Sequence, residues 1–147
     1  MSYKHTSNQS GDASQSRART FLVERGFIVL EPSSRDAIYD CVIDRGDGIF
    51  ETAQIKTLKG NSLAKRTNRK GETVSKQGKI RNSVDYAEEG IHWLIGVGKN
   101  GEIYPYHIEQ YKQYDQTTFS VKKYPPLRHF PRNENIKSNN KISKEKK

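Results

Sequence analysis

The chain has 147 residues, enough for one domain, and its 32% of hydrophobic residues can fill only a modest core. Lys and Arg number 26 against 17 Asp and Glu, which gives a net charge of +9 and favours a polyanionic partner such as nucleic acid. A single cysteine excludes an intramolecular disulfide, no apolar run is long enough to span a membrane, and the polar first residues lack the apolar centre of a secretory signal. We therefore expect a cytoplasmic protein that does not bind membranes.

The first part of the chain predicts a loose start, one helix and three strands. Residues 1–11 are polar and are expected to be flexible. A helix is predicted over 12–25, because apolar residues recur at helical spacing before a glycine that is typical of a helix end. Short apolar runs predict strands over 27–30, 38–44 and 49–58. The turn between the last two strands is rich in Asp and Gly, so we expect these strands to pair in antiparallel fashion.

The later part of the chain predicts the rest of the sheet. After a short helix or turn over 83–89, a strongly apolar run predicts a central strand over 91–97. An Asn-Gly turn leads to another strand over 102–106, and a short helix is predicted over 107–114. Residues 131–147 are rich in Lys and Asn and almost free of apolar side chains, so we expect a disordered basic tail.

A basic segment interrupts the domain between residues 59 and 82. It is rich in glycine and poor in apolar residues, so we predict a hairpin or loop that lies outside the core and follows the nucleic acid. Its basic residues are Lys59, Lys65, Arg66, Arg69, Lys70, Lys76, Lys79 and Arg81. The order of the other elements indicates one α/β domain over 12–130, with a mixed sheet flanked by helices.

Two of the predicted strands bring polar side chains together. Side chains alternate along a strand, so Gln54 and Lys56 point to the same face, and pairing with the preceding strand places Asp40 beside them. A carboxylate, a second oxygen ligand and a lysine suit metal-dependent hydrolysis of a phosphodiester. Asp40 is the predicted main ligand of Mg²⁺, the Gln54 amide oxygen or the Ile55 carbonyl completes the shell, and Lys56 orients water or stabilises developing charge. The pattern is short, and such residues also occur together by chance.

These motifs resemble the PD-(D/E)XK nuclease superfamily, most closely its variant with Gln in place of the acidic residue. That variant includes a group I intron homing endonuclease from cyanobacteria. The resemblance runs from about residue 11 to residue 111 and is carried by Asp40, by the run Gln54-Ile55-Lys56-Thr57, and by the later Asp85-Tyr86 and Trp93-Leu94-Ile95-Gly96-Val97. It implies a restriction-endonuclease-like fold and an endonuclease that cuts double-stranded DNA with Mg²⁺, or alternatively Mn²⁺. It also implies site-specific cleavage, of the homing or restriction type, by a homodimer or homotetramer.

One position departs from the pattern of this superfamily. Its members usually carry a metal-binding Glu on the first helix, and counting back from Gly26 places Gln15 there. An amide oxygen brings no charge and holds Mg²⁺ more loosely than a carboxylate does. Gln15 is therefore a fourth candidate site residue, unless the register of the helix is shifted by a turn. The second hypothesis for function is a DNA-binding protein that keeps the nuclease fold with weak or no catalysis. The charge alone would also fit an RNA- or ribosome-associated protein.

Overall fold

The structure, a computed structural model, describes residues 7–34, 37–67 and 84–130. Within these ranges a sheet carries a long helix on one face and smaller elements on the other. The elements are α1 (Ser7–Glu24), β1 (Ile28–Leu30), β2 (Cys41–Asp44), β3 (Phe50–Thr57), β4 (Ser62–Ala64), β5 (Arg66–Thr67), β6 (Val84–Asp85), β7 (Trp93–Val97), β8 (Ile103–His107), α2 (Ile108–Tyr111) and β9 (Thr118–Ser120).

The central sheet has five strands in the order β1-β2-β3-β7-β8. β3 and β7 run parallel, from the pair Ala53–Trp93 to the pair Thr57–Val97, and every other neighbouring pair is antiparallel. A parallel pair needs a crossover between its strands. Here the crossover contains the basic segment, which includes β4 and β5, and then β6. The mixed sheet confirms the fold class predicted from the sequence.

Helix α1 covers one face of this sheet. Ala18 and Leu22 are fully buried and pack against the inward side chains of the strands, among them Cys41 and Ile55. The helix ends at Glu24, and Gly26 just beyond it has a φ of 88°, which residues other than glycine rarely adopt. Burial raises the pKa of the Cys41 thiol to about 12, which agrees with its predicted place in the core.

The opposite face is covered by a second apolar cluster. Leu94 on β7 and Tyr106 on β8 are fully buried there against the smaller elements. The other buried members of this cluster are Leu63, Tyr86, Ile91, Tyr111, Phe119 and Val121. Because both faces of β7 are covered, all five of its residues are buried. The strongly apolar run over 91–97 had indicated such a central strand.

Two predicted boundaries are wrong near the N-terminus. Helix α1 begins at Ser7, so residues 7–11 belong to it and are not a flexible start. Its first half has no apolar period, and contacts with the sheet hold it there, including a 2.6 Å hydrogen bond between the hydroxyls of Ser14 and Thr57. Strand β2 begins at Cys41, so Asp40 precedes the strand instead of lying within it.

The basic segment does not lie wholly outside the core, contrary to prediction. Leu63 is fully buried in the second cluster, because β4 pairs with β9, a strand that was not predicted from the sequence. The side chain of Lys65 is 4% exposed and lies 3.6 Å from the carboxylate of Asp85. Burial and the contact with Asp85 hold the ammonium of Lys65 inside the domain, which argues against the predicted contact between Lys65 and DNA.

Several predictions fall on residues that the structure does not describe. Arg69, Lys70, Lys76, Lys79 and Arg81 lie outside the described residues, as does the basic tail over 131–147. Of the segment predicted as a helix or turn over 83–89, Val84 and Asp85 form strand β6 and pair with β5. Across the three described ranges, no helix combines the length and the apolar character that a membrane crossing requires.

Candidate active site

Asp40 lies just before the start of β2, at the point where β3 continues beyond its pairing with β2. Its backbone N–H donates to the carbonyl of Ala53 at 2.9 Å, which extends the pairing of the two strands by one bond. Its side chain then takes the place that the next strand carbonyl would occupy, because Oδ2 accepts a 2.8 Å hydrogen bond from the N–H of Ile55. The carboxylate is thus fixed against the open edge of β3.

Helix α1 brings Gln15 to the same carboxylate. The amide Nε2 of Gln15 donates to Oδ1 of Asp40 at 3.0 Å. The two residues are 25 positions apart in the chain, so packing of α1 on the sheet creates the contact. The structure therefore places Gln15 beside Asp40, as the register counted back from Gly26 predicted.

The far half of β3 contributes the other predicted side chains. Gln54 and Lys56 alternate with Ile55, which packs into the core beneath α1. Gln54 is 8% exposed, and its Oε1 has no hydrogen-bond partner among the described residues. Glu51 stands apart from this group, with Oε1 3.4 Å from a guanidinium nitrogen of Arg45.

The predicted residues share one open cleft of about 520 Å³. Its lining residues are Gly11, Ser14, Gln15, Asp40, Gln54, Ile55, Lys56, Thr57, Leu58 and Lys59. All of the predicted catalytic and metal-binding residues are among them, and of the three predicted DNA-binding residues that the structure describes, Lys59 lines the cleft. The structure thus brings together residues from α1, from the start of β2 and from β3.

The neighbours of Asp40 do not fully offset the cost of burying its negative charge. Burial raises its pKa above the ordinary value, while the hydrogen bond from Ile55 and the charge of Lys56 act in the opposite direction without cancelling the effect. A buried carboxylate with a raised pKa would gain from a further positive charge at the mouth of the cleft.

Comparison with known proteins decides the family. A family model described as PD-(D/E)XK endonuclease matches residues 5–138. The chain belongs to the PD-(D/E)XK endonuclease family. It is therefore an endodeoxyribonuclease, a hydrolase that acts on the phosphodiester bonds of DNA, and nucleases of this family generally use divalent metal ions.

A solved structure shows the same fold. A bacterial homing endonuclease, I-Ssp6803I, is similar to the chain with a TM-score of 0.62 and 20% sequence identity, over 89% of this chain and 88% of that one. The family and this structural match confirm the resemblance inferred from the motifs and the restriction-endonuclease-like fold. No curated protein matches the sequence.

The oxygen atoms of the cleft fit the divalent ion that PD-(D/E)XK endonucleases use. Asp40 offers a carboxylate and Gln54 offers an amide oxygen that lacks a partner. The N–H and C=O of one strand residue point to the same edge, so the Ile55 carbonyl faces the edge on which Asp40 lies. Across the described ranges, no three His, Cys, Asp or Glu side chains come together as a metal cluster. One carboxylate with neutral oxygens suits hydrated Mg²⁺ better than it suits zinc.

Two residues near the cleft were not identified from the sequence as part of a site. Ser14 ties α1 to the end of β3 through Thr57, and a small polar residue on a helix gives no signal for such a role. Tyr86 lies beneath the ammonium group of Lys56. It belongs to the Asp85-Tyr86 pair that contributed to the family resemblance, but no role was predicted for its ring.

Proposed function

We propose that this PD-(D/E)XK endonuclease hydrolyses double-stranded DNA with Mg²⁺ held by Asp40, the side-chain oxygen of Gln54 and the carbonyl of Ile55. Mn²⁺ is the alternative ion. The observation that carries the proposal is the partner-free amide oxygen of Gln54 in the same cleft as the under-compensated carboxylate of Asp40. The Gln54 oxygen lacks a donor, and the charge of the Asp40 carboxylate is not fully offset by its two hydrogen bonds, so both atoms suit a hard cation.

Each residue of the cleft has a distinct part in this proposal. When bound, a divalent cation neutralises charge on the phosphate and activates water. Asp40, fixed by the N–H of Ile55, holds its carboxylate rigidly at the edge of β3. Lys56 lies on the same strand and presents an ammonium group that stabilises the charge that develops on the phosphate or orients the attacking water.

The identity of residue 15 bears on whether the protein is a fully active nuclease or one with attenuated cleavage. The resemblance puts Gln15 at the position where the superfamily usually has a metal-binding Glu, and its Nε2 donates to the Asp40 carboxylate. Because an amide brings no negative charge, the site would bind a divalent ion more loosely than a site with two carboxylates. This contact favours a second candidate, a DNA-binding member of the family whose cleavage is attenuated.

We also propose that cleavage is site-specific, of the homing or restriction type. Support comes from the solved neighbour, which is a homing endonuclease. The basic residues of the segment over 59–82, without the buried Lys65, would follow the DNA backbone from the cleft outward, starting at Lys59. Such phosphate contacts set affinity and register, whereas base contacts would provide specificity.

The proposed assembly is a homodimer or homotetramer. One cleft of this kind cuts one strand, and the two strands of DNA run in opposite directions, so a two-fold pair of chains would be needed for a double-strand cut. Sedimentation of the protein with and without target DNA would reveal the assembly. A monomer that still makes double-strand breaks without nicked intermediates would contradict it.

A plasmid cleavage assay with Asp40→Asn tests the proposed function. We expect the wild-type protein to nick or cut plasmid DNA with Mg²⁺ and not with EDTA, and Asp40→Asn to lose cleavage while DNA binding persists. Asp44→Asn is a matched control, because Asp44 lies at the far end of β2 and its carboxylate accepts from the N–H of Gly46 in a turn. Wild-type cleavage by Asp40→Asn would overturn the proposal, and DNA binding without Mg²⁺-dependent cleavage in the wild type would favour the attenuated candidate.

A further inference from the structure

The aromatic ring of Tyr86 lies under the amino group of Lys56. The Nζ atom of Lys56 is 5.6 Å from the ring centroid, within the range of a cation–π interaction. Tyr86 is 1% exposed, whereas Lys56 is partly exposed in the cleft. Within the described ranges Lys56 forms no ion pair: its charge acts on the Asp40 carboxylate from a longer distance, while the Tyr86 ring lies against its ammonium group.

Tyr86 is itself held firmly in place. Its N–H donates to the carbonyl of Lys65 at 3.2 Å, and its carbonyl accepts from the N–H of Ile91 at 3.0 Å. Its ring packs in the second apolar cluster with fully buried neighbours such as Tyr111. The ring therefore cannot follow the lysine, and the flexible lysine side chain must adapt to the ring.

Asp85, the residue before Tyr86, also helps to fix the backbone at this position. The carboxylate of Asp85 accepts a 2.8 Å hydrogen bond from the N–H of Ala87 and lies 3.6 Å from the ammonium of Lys65. Lys65 also donates to the carbonyl of Tyr114. A buried ion pair with these extra partners makes a rigid base for the ring of Tyr86.

We propose that Tyr86 is a positioning residue that holds the ammonium of Lys56 in the cleft through a cation–π interaction. The proposal rests on the proposed role of Lys56 in the chemical step. A lysine has many rotamers, and a fixed ring that attracts its charge would reduce their number before substrate binds. Tyr86 does not touch the substrate in this arrangement and acts only through Lys56. The competing interpretation is that Tyr86 only fills the core.

Ring electronics distinguish these two interpretations without changing the shape of the core. Tyr86 is replaced by phenylalanine and then by phenylalanine analogues with increasing numbers of ring fluorines, which weaken the negative face of the ring at nearly constant size. We expect phenylalanine to keep most of the single-turnover cleavage rate and the rate to fall with each fluorine, by about 10-fold over the series. DNA affinity and melting temperature should stay constant. A rate that does not change along the series would overturn the proposal.

A matched control and a second background make the test specific. Phe119 is 2% exposed in the same apolar cluster, so the same fluorinated series at Phe119 should leave the cleavage rate unchanged. In a Lys56→Met background the series at Tyr86 should lose its effect. If the effect persists there, Tyr86 does not act through Lys56 and the proposal fails. If Lys56→Met alone leaves cleavage at the wild-type rate, the proposed role of Lys56 fails instead.

Discussion

Asp40 is a buried carboxylate whose ionisation is linked to the stability of the fold. Because burial raises its pKa above the ordinary value of 3.8, the folded chain binds this proton more readily than the unfolded chain does. The contribution of Asp40 to stability is therefore present below pH 3.8 and is lost as the pH rises through the raised pKa of the folded state. At neutral pH the ionised side chain therefore lowers the stability of the folded chain.

We predict that Asp40→Asn raises the melting temperature at neutral pH in the absence of divalent ions, while it abolishes cleavage. The neutral amide has no charge to desolvate and can still accept from the N–H of Ile55. Thermal melts from neutral pH down to below pH 3.8 would measure the effect, and the difference between variant and wild type should shrink as Asp40 becomes protonated. A lower melting temperature for Asp40→Asn at neutral pH would show that the carboxylate stabilises the fold.

Lys56 is expected to act in the chemical step. We predict that Lys56→Ala lowers the single-turnover cleavage rate by about 10²-fold, the scale for the loss of one positioned electrostatic group. The dissociation constant for DNA should change much less. Lys59→Ala is the control, because Lys59 lines the same cleft but lies beyond the end of β3. If Lys56→Ala changes only the affinity, Lys56 is a phosphate contact and not a catalytic residue.

Replacing Gln15 with Glu would exchange one side-chain nitrogen for an oxygen and add one negative charge to the site. We predict that Gln15→Glu tightens Mg²⁺ binding and raises the cleavage rate, because a second carboxylate would stand beside Asp40, where the amide now donates a hydrogen bond. Calorimetric titration of Mg²⁺ into both proteins with uncleavable DNA would measure this. The Gln15→Glu/Asp40→Asn double variant is the control and should lose most of the gain. An unchanged Mg²⁺ affinity in Gln15→Glu would mean that Gln15 does not replace the family's acidic ligand.

Strands β5 and β6 depend on a buried ion pair. The side chains of Lys65 and Asp85 are 4% and 11% exposed. These strands flank residues 68–83 in the chain, since the backbones at Arg66 and Thr67 pair with those at Asp85 and Val84. The ion pair therefore lies beside the pairing of β5 with β6.

We predict that Lys65→Met destabilises the protein by about 3–5 kcal/mol, because it leaves the Asp85 carboxylate buried without a cation. The double variant Lys65→Met/Asp85→Leu should be less destabilised than the sum of the two single variants. Denaturant unfolding would measure both, with Lys59→Met as an exposed control. A fall of about 0.9 in the salt-dependence slope of DNA binding for Lys65→Met would show instead that Lys65 contacts a phosphate.

The whole molecule carries its excess charge unevenly, and the net charge of +9 predicts strongly salt-dependent binding to DNA. We predict that neutral replacements of Lys59, Arg69 and Lys70 weaken DNA binding and flatten the plot of log affinity against log salt, by about 0.9 for each phosphate that the protein no longer neutralises. Lys112→Gln is the control, because Lys112 follows α2 at the other end of the central sheet and pairs with Glu109. An unchanged slope in the variant would mean that DNA follows another surface.

Local patterns in the sequence determined much of the candidate site. The two-residue period of a strand is enough to place Gln54 and Lys56 on one face, and the Asp-Gly-rich turn that joins two apolar runs is enough to bring Asp40 beside them. The same patterns indicated the mixed sheet. They also indicated a central strand over 91–97, because its apolar side chains are removed from water only when both faces of the strand are covered.

Tertiary structure alone decided the contacts between distant parts of the chain. The resemblance made Gln15 a candidate site residue, but the period of α1 could not show its hydrogen bond to Asp40, because that bond depends on how the helix packs across the sheet. Lys65 looks like any other cation of the basic segment until β4 pairs with β9 and Asp85 meets its ammonium group. The ring of Tyr86 reaches Lys56 only through the crossover between β3 and β7. Propensity and periodicity act over a few residues, whereas these contacts join segments that are brought together by packing of the core.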